Sequence, residues 1–184
     1  MIRALVLCLL PLQAAAQTTV QTIPQSYEFC WVGANGYHME GRMRLADGAD
    51  AADGADTTAL LTERDVSAFR ITGFLDGTAL GTWSLADLTQ DTAWRLNFDP
   101  VTRSFPVGGY APAGTGQRWN ASGAMNDCGV PGFGFNAGNF SQDICVNNTW
   151  MQDSIIDVFI PLPAYPLGEG PPCPSAPMLS LLRP

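Results

Sequence analysis

Between Tyr37 and Leu45 the side chains alternate without a break. Tyr37, Met39, Gly41, Met43 and Leu45 fall on one side and His38, Glu40, Arg42 and Arg44 on the other. A period of two puts the two sets on opposite faces of an extended strand, whereas a helix would mix them. A strand with one apolar face must pair and pack, so the chain has to build sheets. Tyr27, Phe29 and Trp31 alternate in the same way with Glu28, Cys30 and Val32, and the Gly33-Ala34-Asn35-Gly36 turn between the two runs predicts a hairpin. Farther on, Phe69, Ile71 and Leu75 alternate with Arg70, Thr72 and Phe74, and Asp76-Gly77 separates them from Thr78 to Leu85, where Trp83 and Leu85 share a face. Asp-Gly tolerates the positive φ of a type I′ turn, which predicts a second hairpin. Trp94, Leu96 and Phe98 alternate with Arg95 and Asn97 before Asp99-Pro100 turns the chain toward Val101 to Val107.

Glycine is dense from Gly108 to Gly138, so strands there, with Gln117 to Ala121 and Gly132 to Phe135 as candidates, must be brief. Ser154 to Ile160 alternates once more. No stretch sustains a helical period, although brief helical turns fit Thr62 to Val66 and Ser84 to Leu88. The expectation is an all-β fold, an antiparallel meander closing into a β-sandwich or barrel of about eight short strands.

The ends divide the rest. Met1-Ile2-Arg3, the apolar run Ala4 to Leu12 and the small residues Ala14 to Ala16 have the three parts of a secretory signal, read as residues 1–16. The β domain is expected over 17–160, followed by a Pro-rich tail, 161–184, without regular structure and tethered by Cys173. No integral membrane segment is expected in the mature chain, because no later run approaches the roughly 20 apolar residues of a membrane helix. Loss of Cys8 with the signal leaves Cys30, Cys128, Cys145 and Cys173, an even set in an oxidising compartment. Four cysteines allow three pairings. The favoured one joins Cys128 to Cys145, closing a loop for which chain entropy gives about 3 kcal/mol, and Cys30 to Cys173, tying the tail to the first strand.

Asp and Glu number 17 against 9 basic residues, all Arg, for a net charge of −8. Such a surface lacks the cations that neutralise phosphates, which excludes nucleic acid and anionic lipid as partners. The Ala, Gly, Asp and Arg bias without Lys points to a GC-rich bacterial genome, so export would mean the periplasm or the extracellular space.

His38 is the only histidine, and Glu40 shares its strand face, which makes the two a candidate general-base pair. Arg42 and Arg44 lie on the same face, so a solvated charge ladder is the favoured reading. The His-x-Glu spelling also occurs in zinc deaminases, but the Pro-Cys-x-x-Cys partner is missing. One imidazole cannot supply a histidine-rich metal site, and no metal or other cofactor is expected. Asp47, Asp50, Asp53 and Asp56 recur every third residue, a spacing that does not fit a calcium loop and reads as a solvated acidic segment. Ser122 has no identifiable base. Of the five tryptophans, Trp31, Trp83 and Trp94 follow the apolar alternation, whereas Trp119 and Trp150 stand among polar residues and are the candidates for an exposed, ligand-stacking platform. Asn120, Asn139 and Asn147 open glycosylation spellings that have no meaning in a bacterium.

Trp31-Val32-Gly33, Gly36-Tyr37 and Gly41, followed by Asp65-Val66, Phe69-Arg70-Ile71 and Asp76-Gly77, resemble uncharacterised secreted β-rich proteins of proteobacteria. In some of those a similar domain precedes a Val-Pro-Leu-Pro-Ala sorting tail. Ile160-Pro161-Leu162-Pro163-Ala164 is similar to its opening, but the transmembrane stretch and basic end that should follow are missing. The resemblance implies export and β structure, and no activity.

Abundant aromatics on a β scaffold without a catalytic spelling point to a non-catalytic exported module that binds a glycan or other small ligand, or contributes to the cell surface. The alternatives are a periplasmic carboxylate-dependent hydrolase, with His38 and Glu40 as candidates, and a structural surface protein.

Overall fold

The computed structural model describes residues 23, 25–49, 60–107, 116–122, 127–138 and 140–173. The expected signal peptide, Asp50, Asp53, Asp56, Asn139 and the segment from Leu179 to Pro184 lie outside them. Fourteen strands run through the described residues: β1 (Ser26–Val32), β2 (Tyr37–Leu45), β3 (Leu61–Thr62), β4 (Val66–Leu75), β5 (Thr78–Ser84), β6 (Trp94–Arg95), β7 (Asn97–Phe98), β8 (Ser104–Phe105), β9 (Gln117–Trp119), β10 (Phe133–Ala137), β11 (Ser141–Val146), β12 (Thr149–Trp150), β13 (Ile156–Asp157) and β14 (Leu162–Pro166). Single 3₁₀ turns at Glu63–Asp65 and Leu85–Asp87 sit where brief helical turns were expected, each closed by an aspartate reaching back to the preceding Thr62 or Ser84.

The strands form a sandwich-like, antiparallel all-β arrangement. One sheet has the order β5-β4-β2-β1-β14-β8; the other has β12-β11-β10-β9-β6, with β13 also on β11; β3 and β7 make a small third sheet. Both predicted hairpins are present. Asn35 and Gly36 have φ of 51° and 84° between β1 and β2, and Asp76 and Gly77 have φ of 48° and 81° between β4 and β5. Positive φ at both central residues is what a two-residue I′ turn demands.

The inward faces meet in an aromatic core. Phe29 lies 5.3 Å from Trp119 between ring centres, Phe69 lies 4.9 Å from Trp119, and Trp31 lies 5.4 Å from Phe135. At these separations the pairs add about 0.5–1.5 kcal/mol each to what burial alone contributes. Gly73 on β4 lets the sheets approach, because a Cβ there would overlap the Phe133 ring of β10.

Two expectations need correction. The tail beyond Pro161 is not irregular: β14 lies between β1 and β8, pairing Ala164 with Phe29 and Leu162 with Phe105. Leu162 and Ala164 are buried while Pro163 and Tyr165 point outward, so the period of two persists through the prolines. Pro163 and Pro166 obscure a strand because proline cannot donate to a ladder, yet neither position interrupts the pairing. Ser154 to Ile160 is not one strand either. A 3₁₀ turn at Gln152–Ser154 precedes the two-residue β13, and Asp157 accepts the Phe159 N–H at 2.7 Å, which turns the chain instead of extending it.

Candidate functional site

Trp119 and Trp150 do not form a platform. Trp119 is fully buried, its ring packed among Phe29, Phe69, Phe105 and Phe135. Its polar neighbours misled because they are interior anchors. Gln117 donates to the carbonyls of Asn97 and Pro106 at 2.9 and 2.6 Å and accepts the Asn97 N–H at 3.0 Å. Asn120 donates to the carbonyls of Cys128 and Phe133 at 2.8 and 2.9 Å. Buried amides with satisfied hydrogen bonds look, in a sequence, like surface residues. Trp150 is half-buried on the outer face of the second sheet, where its indole N–H donates to Asp143.

The outer face of the first sheet is different. The register sets its outward side chains in rows across the strands. Tyr165, Glu28, Arg42, Arg70 and Ser84 form one row; Cys30, Glu40, Thr72 and Thr82 form the next; Val32, His38 and Phe74 form a third. His38 and Glu40 therefore share a face, as the alternation requires. Their surroundings differ: His38 is buried and stacked on Phe74 at 4.8 Å with the rings 7° apart, while Glu40 is exposed.

Past β14 the chain doubles back over this face. Glu169 N–H donates to the Pro166 carbonyl at 2.9 Å, and the N–H groups of Gly168 and Gly170 both donate to Glu28 Oε1 at 3.1 Å. Gly170 passes so close that a Cβ would lie 3.1 Å from Glu28 Oε1 and 3.3 Å from the Tyr165 Cβ. The strap then runs through Pro171 and Pro172 to Cys173, which is bonded to Cys30. The other disulfide joins Cys128 to Cys145. Both pairs are those favoured from the sequence.

Strap and sheet enclose a groove of about 660 Å³, within the usual range for small-ligand sites. Tyr165, the two prolines, Glu28, Glu40, Arg42, Arg70 and Thr72 contribute to its lining. Its two arginines, Arg42 and Arg70, are Cα partners on neighbouring strands. Among the described residues no hydrogen bond or ion pair engages either guanidinium. Glu28, the cross-strand partner of Arg42, is turned to the strap instead.

Among the described residues one group of possible metal ligands comes together, with the donor atoms of His38, Glu40 and Cys173 within 4.8 Å of one another. Cys173 sulfur is committed to the disulfide. One imidazole and one carboxylate remain, short of the three or four protein ligands of a zinc site. Asp47 is exposed and joins no such group.

A second, smaller cleft of about 510 Å³ lies between the loop after β5 and the Cys128–Gly132 turn. Asp87 and Asp91 border it together with Asp127, whose Oδ2 accepts the Ser122 N–H at 2.7 Å. No family model, curated protein or solved structure matches the chain.

Proposed function

We propose that the protein is an exported, non-catalytic binding module that seats a glycan or other small ligand in the groove between the strap and the first sheet. Two disulfides fit an oxidising compartment, and among the described residues no helix is long and apolar enough to cross a membrane. The observation that carries the reading is the strap. A disulfide and a glutamate accepting two backbone amides hold seven residues, Leu167 to Cys173, over a sheet face that already carries Tyr165 and two arginines. A covering fixed in advance lowers the ordering cost of binding.

The test is a calorimetric screen of the oxidised mature protein against oligosaccharides, repeated with Tyr165→Ala. Loss of the ring should weaken a stacking ligand about ten-fold. A ligand whose affinity ignores Tyr165→Ala, or no ligand at all, would remove the groove as the site.

A second reading, a carboxylate-dependent hydrolase, draws on Glu28 and Glu40 lining the same groove. Paired carboxylates can cleave glycosidic bonds, but Glu28 holds the strap through its Oε1. Release of reducing ends from a bound oligosaccharide, lost in Glu40→Gln, would establish the hydrolase in place of the binding module.

A further inference from the structure

Resting on the groove as the binding site, we infer that its ligand is an acidic glycan whose carboxylates are held by Arg42 and Arg70. Like charges set directly opposite one another on adjacent strands repel, and the register makes these two arginines such a pair. The acid best placed to relieve them is Glu28, opposite Arg42 on β1. Its Oε1 accepts the Gly168 and Gly170 N–H groups. The groove thus keeps two guanidinium forks without a carboxylate partner among the described residues, in a protein whose net charge is −8. Guanidinium is the group best matched to bidentate capture of a carboxylate.

The remaining lining selects a sugar over an acidic peptide. An extended peptide binds a sheet by adding a strand at an edge, but this groove lies on a sheet face whose backbone groups are already paired in the β1-β2-β4 ladders. What the face offers is an aromatic ring at Tyr165, a hydroxyl at Thr72 and a carboxylate acceptor at Glu40. A ring to stack on and acceptors for hydroxyl groups suit a pyranose. Tyr165 and Arg70 stand in one row, three strand spacings apart. At about 4.8 Å each that is about 14 Å, the length of two to three linked sugars.

The experiment compares α-1,4-linked tri-galacturonate with its fully methyl-esterified form by titration calorimetry on the oxidised mature protein. The same titrations are run on the double variant Arg42→Gln/Arg70→Gln and on Arg95→Gln/Arg118→Gln, an arginine pair in register on β6 and β9 that does not line the groove. The acid should bind at least about ten-fold more tightly than the ester. That preference should vanish in the groove variant, persist in the other, and shrink as salt rises. Equal affinity for acid and ester, with both lost in Tyr165→Ala, would overturn the acidic ligand and leave the groove as the site. An acid preference that survives Arg42→Gln/Arg70→Gln would overturn the assignment to these arginines. So would tighter binding of a tri-glutamate peptide than of the trisaccharide. Circular dichroism of each variant separates loss of binding from loss of fold.

Discussion

Both sheets carry a disulfide on their outer face, and the two faces use it differently. On the first sheet the Cys30–Cys173 bond joins residues 143 apart and holds a strap over a charged groove. On the second, Cys128–Cys145 joins residues 17 apart and packs with Ala121 into a small apolar cluster. Around Asp143 the polar residues of the second face bond one another, although Arg118 in the same row is exposed. Asp143 is buried, and the Ser141 hydroxyl donates to it at 2.8 Å alongside the Asn136 amide and the Trp150 indole. On the first face Glu40, Arg42 and Arg70 are exposed, and the two arginines lack such partners among the described residues. A polar group with every partner inside the protein is architecture; one facing a groove without partners is free to meet a ligand.

The largest expected effect comes from opening the long loop. Chain entropy assigns about 5 kcal/mol to a closure of 143 residues and about 3 kcal/mol to one of 17. Cys30→Ser/Cys173→Ser should therefore lower the urea midpoint more than Cys128→Ser/Cys145→Ser. It should also weaken any groove ligand, which the second double variant should leave unchanged. A reversed order of midpoints would mean that the strap is not what the longer bond secures.

Next in size are the two tryptophans singled out by their polar neighbours. Trp119→Ala should cost about 3–5 kcal/mol by emptying the centre of the aromatic core. Trp150→Ala removes a half-buried ring and one hydrogen bond to Asp143 and should cost about 1–2 kcal/mol. Denaturation of both variants checks the order, and equal costs would contradict the placement of Trp119.

The smallest effect concerns Asp143. Burial raises its pKa above the model-compound value of 3.8, against the lowering influence of the Ser141, Asn136 and Trp150 donors. A carboxyl with a raised native pKa binds its proton more tightly in the folded state. Its contribution to stability is present below the unfolded value and is lost as pH rises through the native one. The stability of the wild type relative to Asp143→Asn should therefore fall as pH climbs from about 4 toward neutrality. A difference that stays flat with pH would show that the three donors offset the burial.

The hairpins and the facing of their side chains were legible because alternation and Asn-Gly or Asp-Gly turns are local signals. The row Glu28–Arg42–Arg70 follows from those strands only once their register is known. The groove itself was not legible. It depends on β14, disguised by Pro163 and Pro166, and on a strap whose glycines and prolines look like an unstructured tail until Glu28 and Cys30 are placed beneath them. β11 was also missed, because Ser141, Gln142 and Asp143 read as surface, whereas Gln142 and Asp143 are buried. Gln142 points inward to the Ile160 carbonyl at 2.6 Å, and a buried polar residue breaks the apolar alternation from which a strand is recognised.

Backbone amide mapping by NMR decides most directly which outer face meets a ligand. On titration of the tightest-binding oligosaccharide, the shifts should concentrate at Glu28, Glu40 to Arg42, Arg70 to Thr72 and the strap amides of Leu167 to Gly170 and Cys173. Shifts centred instead on Arg118, Asn136, Asp143 and Trp150, with the strap silent, would contradict the account.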